Sequence, residues 1–145
     1  MTFGTNNTVR KGSSIVAGTN NSISGEYTLV VGKGNTINNQ CGYGIVAGLS
    51  SVAGAPSTFA FGNQLSTSNS SEIAVGKCNY TLNDALFTVG DGISASSGSH
   101  KRSNALLVKD SSDGGKVYIK GIGDYNGKSA SNADDIATVI NTIND

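Results

Sequence analysis

Side chains able to do chemistry are sparse in this chain, and their spacing limits what they could do. The densest positive cluster is His100-Lys101-Arg102, in a Ser/Gly-rich loop at 94–103. It is a candidate contact for acidic groups, although a solvated loop with salt links to nearby Asp residues uses the same side chains. His100 is the only histidine, and spacing assigns no Ser or Cys to it, so no nucleophile–base pair is legible. Asp110 and Asp113 could share a cation, but acids beside Gly are also what hairpin turns employ. The segment Gly121-Ile122-Gly123-Asp124-Tyr125-Asn126-Gly127-Lys128-Ser129 imitates a phosphate loop. That loop needs four residues between its glycines, so that successive amides converge on the phosphates. Here Gly121 leaves five and Gly123 leaves three, and nucleotide binding is not expected. The acids Glu26, Glu72, Asp84 and Asp91 are too dispersed to form the carboxylate pair of glycoside cleavage within one chain. Two Cys and one His are too few for a zinc site. No catalytic, cofactor or metal site is expected.

The elements that carry these residues follow a ruler. Gly4, Gly18, Gly32, Gly48, Gly62, Gly76 and Gly90 are spaced 14, 14, 16, 14, 14 and 14 residues apart. All but the first close an apolar triplet such as Ile15-Val16-Ala17, Leu29-Val30-Val31 or Phe59-Ala60-Phe61. Five residues after each Gly comes a second inward candidate: Val9, Ile23, Ile37, Ala53, Thr67, Thr81 and Ala95. Three residues after the Gly stands Asn7, Asn21, Asn35 or Asn79 in four of the seven repeats. A period this short means a stack of equivalent coils, each with two short strands and two tight turns. The Asn side chains are expected to hydrogen-bond along the stack. Gly is expected to turn a corner, by positive φ or by close backbone approach. The 16-residue step reads as a two-residue insertion in an outer loop near Gln40-Cys41-Gly42. Alternation within the triplet places Ile15 with Ala17 on one face and Val16 on the other. The first expectation is that the Ile/Leu/Phe position fills the interior with the residue at Gly+5. Val16, Val30, Val46, Ala60, Ala74 and Thr88 are then left for another copy of the chain to cover.

This repeat, strand–Gly–x–x–Asn–x–(Val/Ile/Ala) over residues 2 to 95, resembles the head repeats of trimeric autotransporter adhesins. The resemblance implies intertwined left-handed parallel β-rolls in a homotrimer. Similar rolls occur in bacteriophage tail and head fibres. The stretch Arg102-Ser103-Asn104-Ala105-Leu106-Leu107-Val108, a Gly-containing turn, then Lys116-Val117-Tyr118-Ile119-Lys120-Gly121 is similar to an ending of phage fibre proteins. The neck motif and membrane anchor expected of a surface adhesin are not seen in this sequence.

Composition agrees with a shared core. Of 145 residues, 37% are hydrophobic and 14% charged, with no Trp, which is lean for a lone globular core. Ten acidic and ten basic residues balance, so neither nucleic acid nor an anionic membrane is implied as a partner. Neither a signal peptide nor a transmembrane run is present, as expected for a virion protein assembled in the host cytoplasm. Cys41 and Cys78 lie two to three coils apart, too far for an intrachain disulfide, and two free thiols fit a reducing compartment. Residues 96–145 read as a separate module, with a hairpin over 105–120 and a Gly-rich loop. A short helix follows, with Ile136, Val139, Ile140 and Ile143 as its apolar stripe, suited to a three-stranded bundle.

The chain is therefore expected to be mainly β. A 14-residue-repeat parallel β-roll, or solenoid, occupies residues 1–95, with a hairpin-and-helix module at 96–145. The expected function is a non-enzymatic, homotrimeric bacteriophage fibre component that touches host-surface glycan or another virion protein. A bacterial adhesin head at the cell surface is the alternative, and a glycan depolymerase a third reading.

Overall fold

The computed structural model describes residues 1–94, 100–110 and 115–120. The expected helix with Ile136, Val139, Ile140 and Ile143, the glycine-rich loop, Ala95 and Asp113 lie outside the described residues.

The repeat folds as a parallel β-solenoid. Each of the first five coils supplies one longer strand and one two-residue strand. The first three coils carry β1 (Thr2–Thr5) with β2 (Thr8–Val9), β3 (Ile15–Thr19) with β4 (Ser22–Ile23), and β5 (Leu29–Lys33) with β6 (Thr36–Ile37). Next come β7 (Ile45–Leu49) with β8 (Val52–Ala53), and β9 (Phe59–Asn63) with β10 (Ser66–Thr67). Then follow β11 (Ile73–Lys77), β12 (Ala85–Asp91), β13 (Asn104–Lys109) and β14 (Val117–Ile119). The longer strands stack in one nine-stranded sheet, in the order β1-β3-β5-β7-β9-β11-β12-β13-β14, and the short ones in a five-stranded sheet. Pairing is parallel up to β12 and strictly in register: Val16 lies beside Val30, and Gly18 beside Gly32. The expected hairpin is present, with β13 antiparallel to both β12 and β14. No helix among the described residues is long and apolar enough to cross a membrane.

The interior lies between the two sheets, and it is built from the opposite face to the one expected. Val16, Val30, Val46, Ala60 and Ala74 are fully buried, opposite Ile23, Ile37 and Ala53. Thr88 is buried in the same column, so all six residues assigned to a neighbouring copy are covered by their own chain. The reason is width. The gap between the two strands of a coil admits a residue no larger than Val facing an Ile, not an Ile or Phe facing an Ile. The Gly+5 residues point inward as expected at Ile23, Ile37, Ala53 and Thr67. Each buried Val or Ile contributes about 1.5–3 kcal/mol relative to exposure, so the thin core is sustained by repetition. The Ile/Leu/Phe positions face out instead: Ile15 is 50% exposed, Leu29 37% and Ile73 36%, and the third triplet residues Val31 and Phe61 share that face.

Glycine also acts differently from a simple corner residue. It is the fourth residue of each five-residue strand, at positive φ, where stacked backbones meet. At Gly48 (φ 146°) a Cβ would stand 1.8 Å from the carbonyl oxygen of Gly62, and at Gly32 2.0 Å from that of Gly48. The corners proper are turned by other left-handed residues. One set lies two residues after the Gly (Asn6, Asn20, Ser50, Gln64, Cys78), and the other five before the next Gly (Ser13, Tyr27, Tyr43, Ser57, Ser71).

The asparagine ladder forms. Asn21 Nδ2 donates to Asn7 Oδ1 at 2.9 Å and to the Gly32 carbonyl at 2.9 Å. Asn35 repeats this one coil on, donating to Asn21 Oδ1 at 3.1 Å and to the Gly48 carbonyl at 2.9 Å. Asn21 Oδ1 also accepts from the Asn35 backbone amide at 3.0 Å, so the buried amide's donors and acceptor are all engaged. Ser51 continues the column, accepting from the Leu65 amide at 3.1 Å, and Leu65 then joins the apolar core. Asn79 has a different task. Its Oδ1 accepts from the Ser66 amide and its Nδ2 donates to the Ser66 carbonyl, both at 2.8 Å, so a side chain pairs with β10 as another strand would. Asn104 does the same at Tyr80, at 2.7 and 2.8 Å. Together they close an edge that would otherwise offer unpaired backbone groups.

Candidate functional site

The single break in the period builds the most distinctive surface of the molecule. The inserted loop at 38–42 is fastened to the roll at several points. The Gly42 carbonyl accepts from Ser57 N at 2.8 Å, and Tyr43 N donates to the Glu26 carbonyl at 3.1 Å. The Cys41 carbonyl rests where a Cβ on Gly25 would be, 1.9 Å from that position, so glycine there is what lets the loop dock. Cys41 itself was expected in an outer loop but turns inward and is fully buried. Its sulfur lies 2.7 Å from where a Gly44 Cβ would project, and 3.6 Å from Thr58 Oγ1. The thiol thus takes the place in an interior polar column that Ser14 and Thr28 hold in earlier coils, where their hydroxyls bond at 3.0 Å. Burial pushes the Cys41 thiol up, which makes it a packing group and a poor nucleophile. Cys41 and Cys78 are both free.

The docked loop walls a polar groove of about 700 Å³ over the outer face of the five-stranded sheet. Arg10, Lys11, Ser22 and Ser24 line it from the roll, and Asn38, Asn39 and Gln40 from the loop side. A smaller hollow of about 220 Å³ continues past Lys11 and Asn39 to Glu26, Tyr27 and Tyr43. Lys11 Nζ is 3.6 Å from Glu26 Oε1 at an exposed site, a pair with little energetic weight. Arg10 is exposed and its side chain has no partner among the described residues. Tyr27 and Tyr43 stack on each other, ring centroids 5.2 Å apart and planes 7° from parallel, yet remain 54% and 65% exposed.

The positive cluster lies elsewhere and is partly committed to structure. Arg102 donates through Nη1 to the Gln64 carbonyl at 3.1 Å and the Asn79 carbonyl at 3.0 Å, clamping the end of the roll. Lys101 exchanges backbone hydrogen bonds with Ile93 and leaves its side chain exposed, and His100 is half-buried beside it. None of the three reaches the groove. Among the acids, Lys120 Nζ donates to Asp91 Oδ2 at 2.6 Å, which holds that carboxyl below the usual range. No group of three or more potential metal ligands occurs among the described residues. Sequence reasoning missed Arg10, Lys11 and the three loop amides. The insertion marked where the loop amides lie, whereas Arg10 and Lys11, roughly two coils earlier in the chain, carried no such signal.

Glu72 is the one fully buried carboxylate among the described residues. Its Oε2 accepts from Ser68 N at 2.8 Å, Asn69 N at 3.1 Å and Asn69 Nδ2 at 3.1 Å, while Oε1 has no partner. Desolvation pushes its pKa up, outweighing those donors. The folded state therefore holds the proton more tightly than the unfolded chain. The resulting stability is full below the ordinary carboxylate value of about 4.3 and is lost as pH rises through the folded value. Melting temperature should fall over that window in the wild type, while Glu72→Gln, which keeps an acceptor oxygen, should give a flatter profile. Parallel profiles in thermal melts from pH 4 to 8 would refute the raised value.

No protein-family model matches this chain, and a comparison with curated proteins finds no match.

Proposed function

We propose that this protein is a non-enzymatic bacteriophage fibre component, a homotrimeric rod that presents its outer loops to host-surface glycan or to another virion protein. The observation that carries this reading is the outward face of the nine-stranded sheet. Ile15, Leu29 and Ile73 belong to one apolar column on that face, and Phe3, Val31 and Phe61 to a second, all at least 36% exposed. In-register stacking runs the first column without interruption from β3 to β11 and the second from β1 to β11. At about 4.8 Å per coil the face is on the order of 25 Å long. A continuous apolar surface of that kind marks an interface.

A second copy of the same roll matches the face coil for coil, and two columns give each chain one contact line toward each of two neighbours around a threefold axis. The residues left outside, which include Ile15, Leu29 and Phe61, are bulkier than the inward column that the chain covers by itself. The opposite, polar sheet would face outward in such an assembly and carry the groove. Weak contacts repeated in three copies gain strength through avidity. Native mass spectrometry at low concentration tests the assembly. A species near three times 14.7 kDa is expected, and a folded monomer would overturn the trimer.

A further inference from the structure

The repeat supplies its own controls, because equivalent positions in other coils show what the fold alone requires. The corner held by Tyr27 and Tyr43 is held by Ser13, Ser57 and Ser71 elsewhere, all in the same left-handed conformation. A bulky aromatic residue is disfavoured there, and the fold plainly accepts Ser, so nothing in the roll calls for tyrosine. Neither ring is buried in the core; both stand exposed beside the groove. The position of Arg10, six residues after the Gly, is Ser24 and Ser68 in other coils, so the roll does not call for a guanidinium either. The insertion, found in one coil only, is fixed by Gly25 and by Cys41 rather than left loose. A flat aromatic platform, a free guanidinium, a Lys and three amides converge on one preorganised wall that the coil geometry does not explain.

We propose that this groove binds a carboxylate-bearing oligosaccharide. This inference rests on the receptor-binding part of the proposed function and names its ligand class. A pyranose ring presents an apolar C–H face that fits a tyrosine ring, and the two stacked rings are exposed for it. Asn38, Asn39 and Gln40 each offer a donor pair and an acceptor to neighbouring hydroxyls. Arg10 supplies the planar fork that pairs with a sugar carboxylate. The 700 Å³ groove holds two basic residues and no acid in its wall, and Glu26, in the smaller hollow, is engaged by Lys11. The groove opens on the sheet opposite the apolar columns, so assembly through that face leaves it accessible.

The test uses the full chain with three probes: sialyllactose, a hyaluronan tetrasaccharide and neutral lactose. Saturation-transfer NMR and calorimetry should show at least one acidic probe binding, with lactose at least tenfold weaker. Tyr27→Ser with Tyr43→Ser should weaken binding at least tenfold. Arg10→Ser should remove the preference for acid over lactose. All three substitutions install the residue that other coils already use, so melting temperature should hold. Absence of binding by both acidic probes overturns the inference, as does binding unchanged by the tyrosine pair. Equal binding of lactose overturns its acidic part. A trimer that binds neither acidic probe defeats this inference alone, whereas a monomer that binds one defeats only the trimer.

Discussion

Gly48→Ala should leave the chain unable to form its roll, with soluble yield and the cooperative melt both lost. Two costs coincide at this position. The new Cβ would lie 1.8 Å from the Gly62 carbonyl oxygen and 2.8 Å from its carbon, both rigid backbone atoms. The residue would also have to adopt φ 146°, where L side chains are strained. Relief by separating the coils would break the ladder pairing of β7 with β9, and the bond from the Leu65 amide to Ser51 Oγ with it. A loss of about 4 kcal/mol or more follows, a large part of the ~5–15 kcal/mol that holds a typical domain. Gly12→Ala is the matched control: its Cβ would meet nothing within 4 Å, and its melt should barely move. If Gly48→Ala melts within a few degrees of wild type, the glycine column does not set the coil spacing.

The second large effect concerns assembly. Val31→Lys combined with Phe61→Lys should convert the proposed trimer to monomer while leaving the solenoid folded. Both positions are more than two-fifths exposed in the single chain, so in a lone roll the charges would stay solvated and cost little. In a shared interface each would be buried without a partner in every copy, which is strongly unfavourable. Native mass and thermal melting together separate the outcomes. Loss of the trimer with β-structure retained supports the apolar face as the interface. A trimer that survives both lysines places its contacts elsewhere.

The stack of coils, the Asn column and the C-terminal hairpin were legible in the one-dimensional pattern, because in-register stacking turns sequence period directly into spatial contact. Which face turns inward was not, since Ile15, Val16 and Ala17 are all apolar and alternation alone does not rank them. A size argument would have decided it. The column Val16, Val30, Val46, Ala60, Ala74 and Thr88 never exceeds Val in bulk, whereas its neighbours reach Phe59 and Phe87. A narrow interior selects the former. The seat of Cys41 beneath Gly44, and the docking of its loop over Gly25, join residues with no common phase in the repeat. Periodicity therefore carried no trace of them, and the groove they build was invisible until the loop was placed. The role of Arg102 was hidden for a related reason, since its carbonyl partners Gln64 and Asn79 lie 38 and 23 residues away.

In-register stacking has a consequence for how such a molecule changes over generations. Each coil from β1 to β11 touches mainly the one before and the one after, so the energetics are close to those of a one-dimensional chain of like units. Duplicating or deleting one whole unit alters the height of the rod by about 4.8 Å and leaves every remaining neighbour relation of the same kind. Reach is thereby a quantity that recombination can adjust in fixed steps, while the decorated coils keep their own surface chemistry.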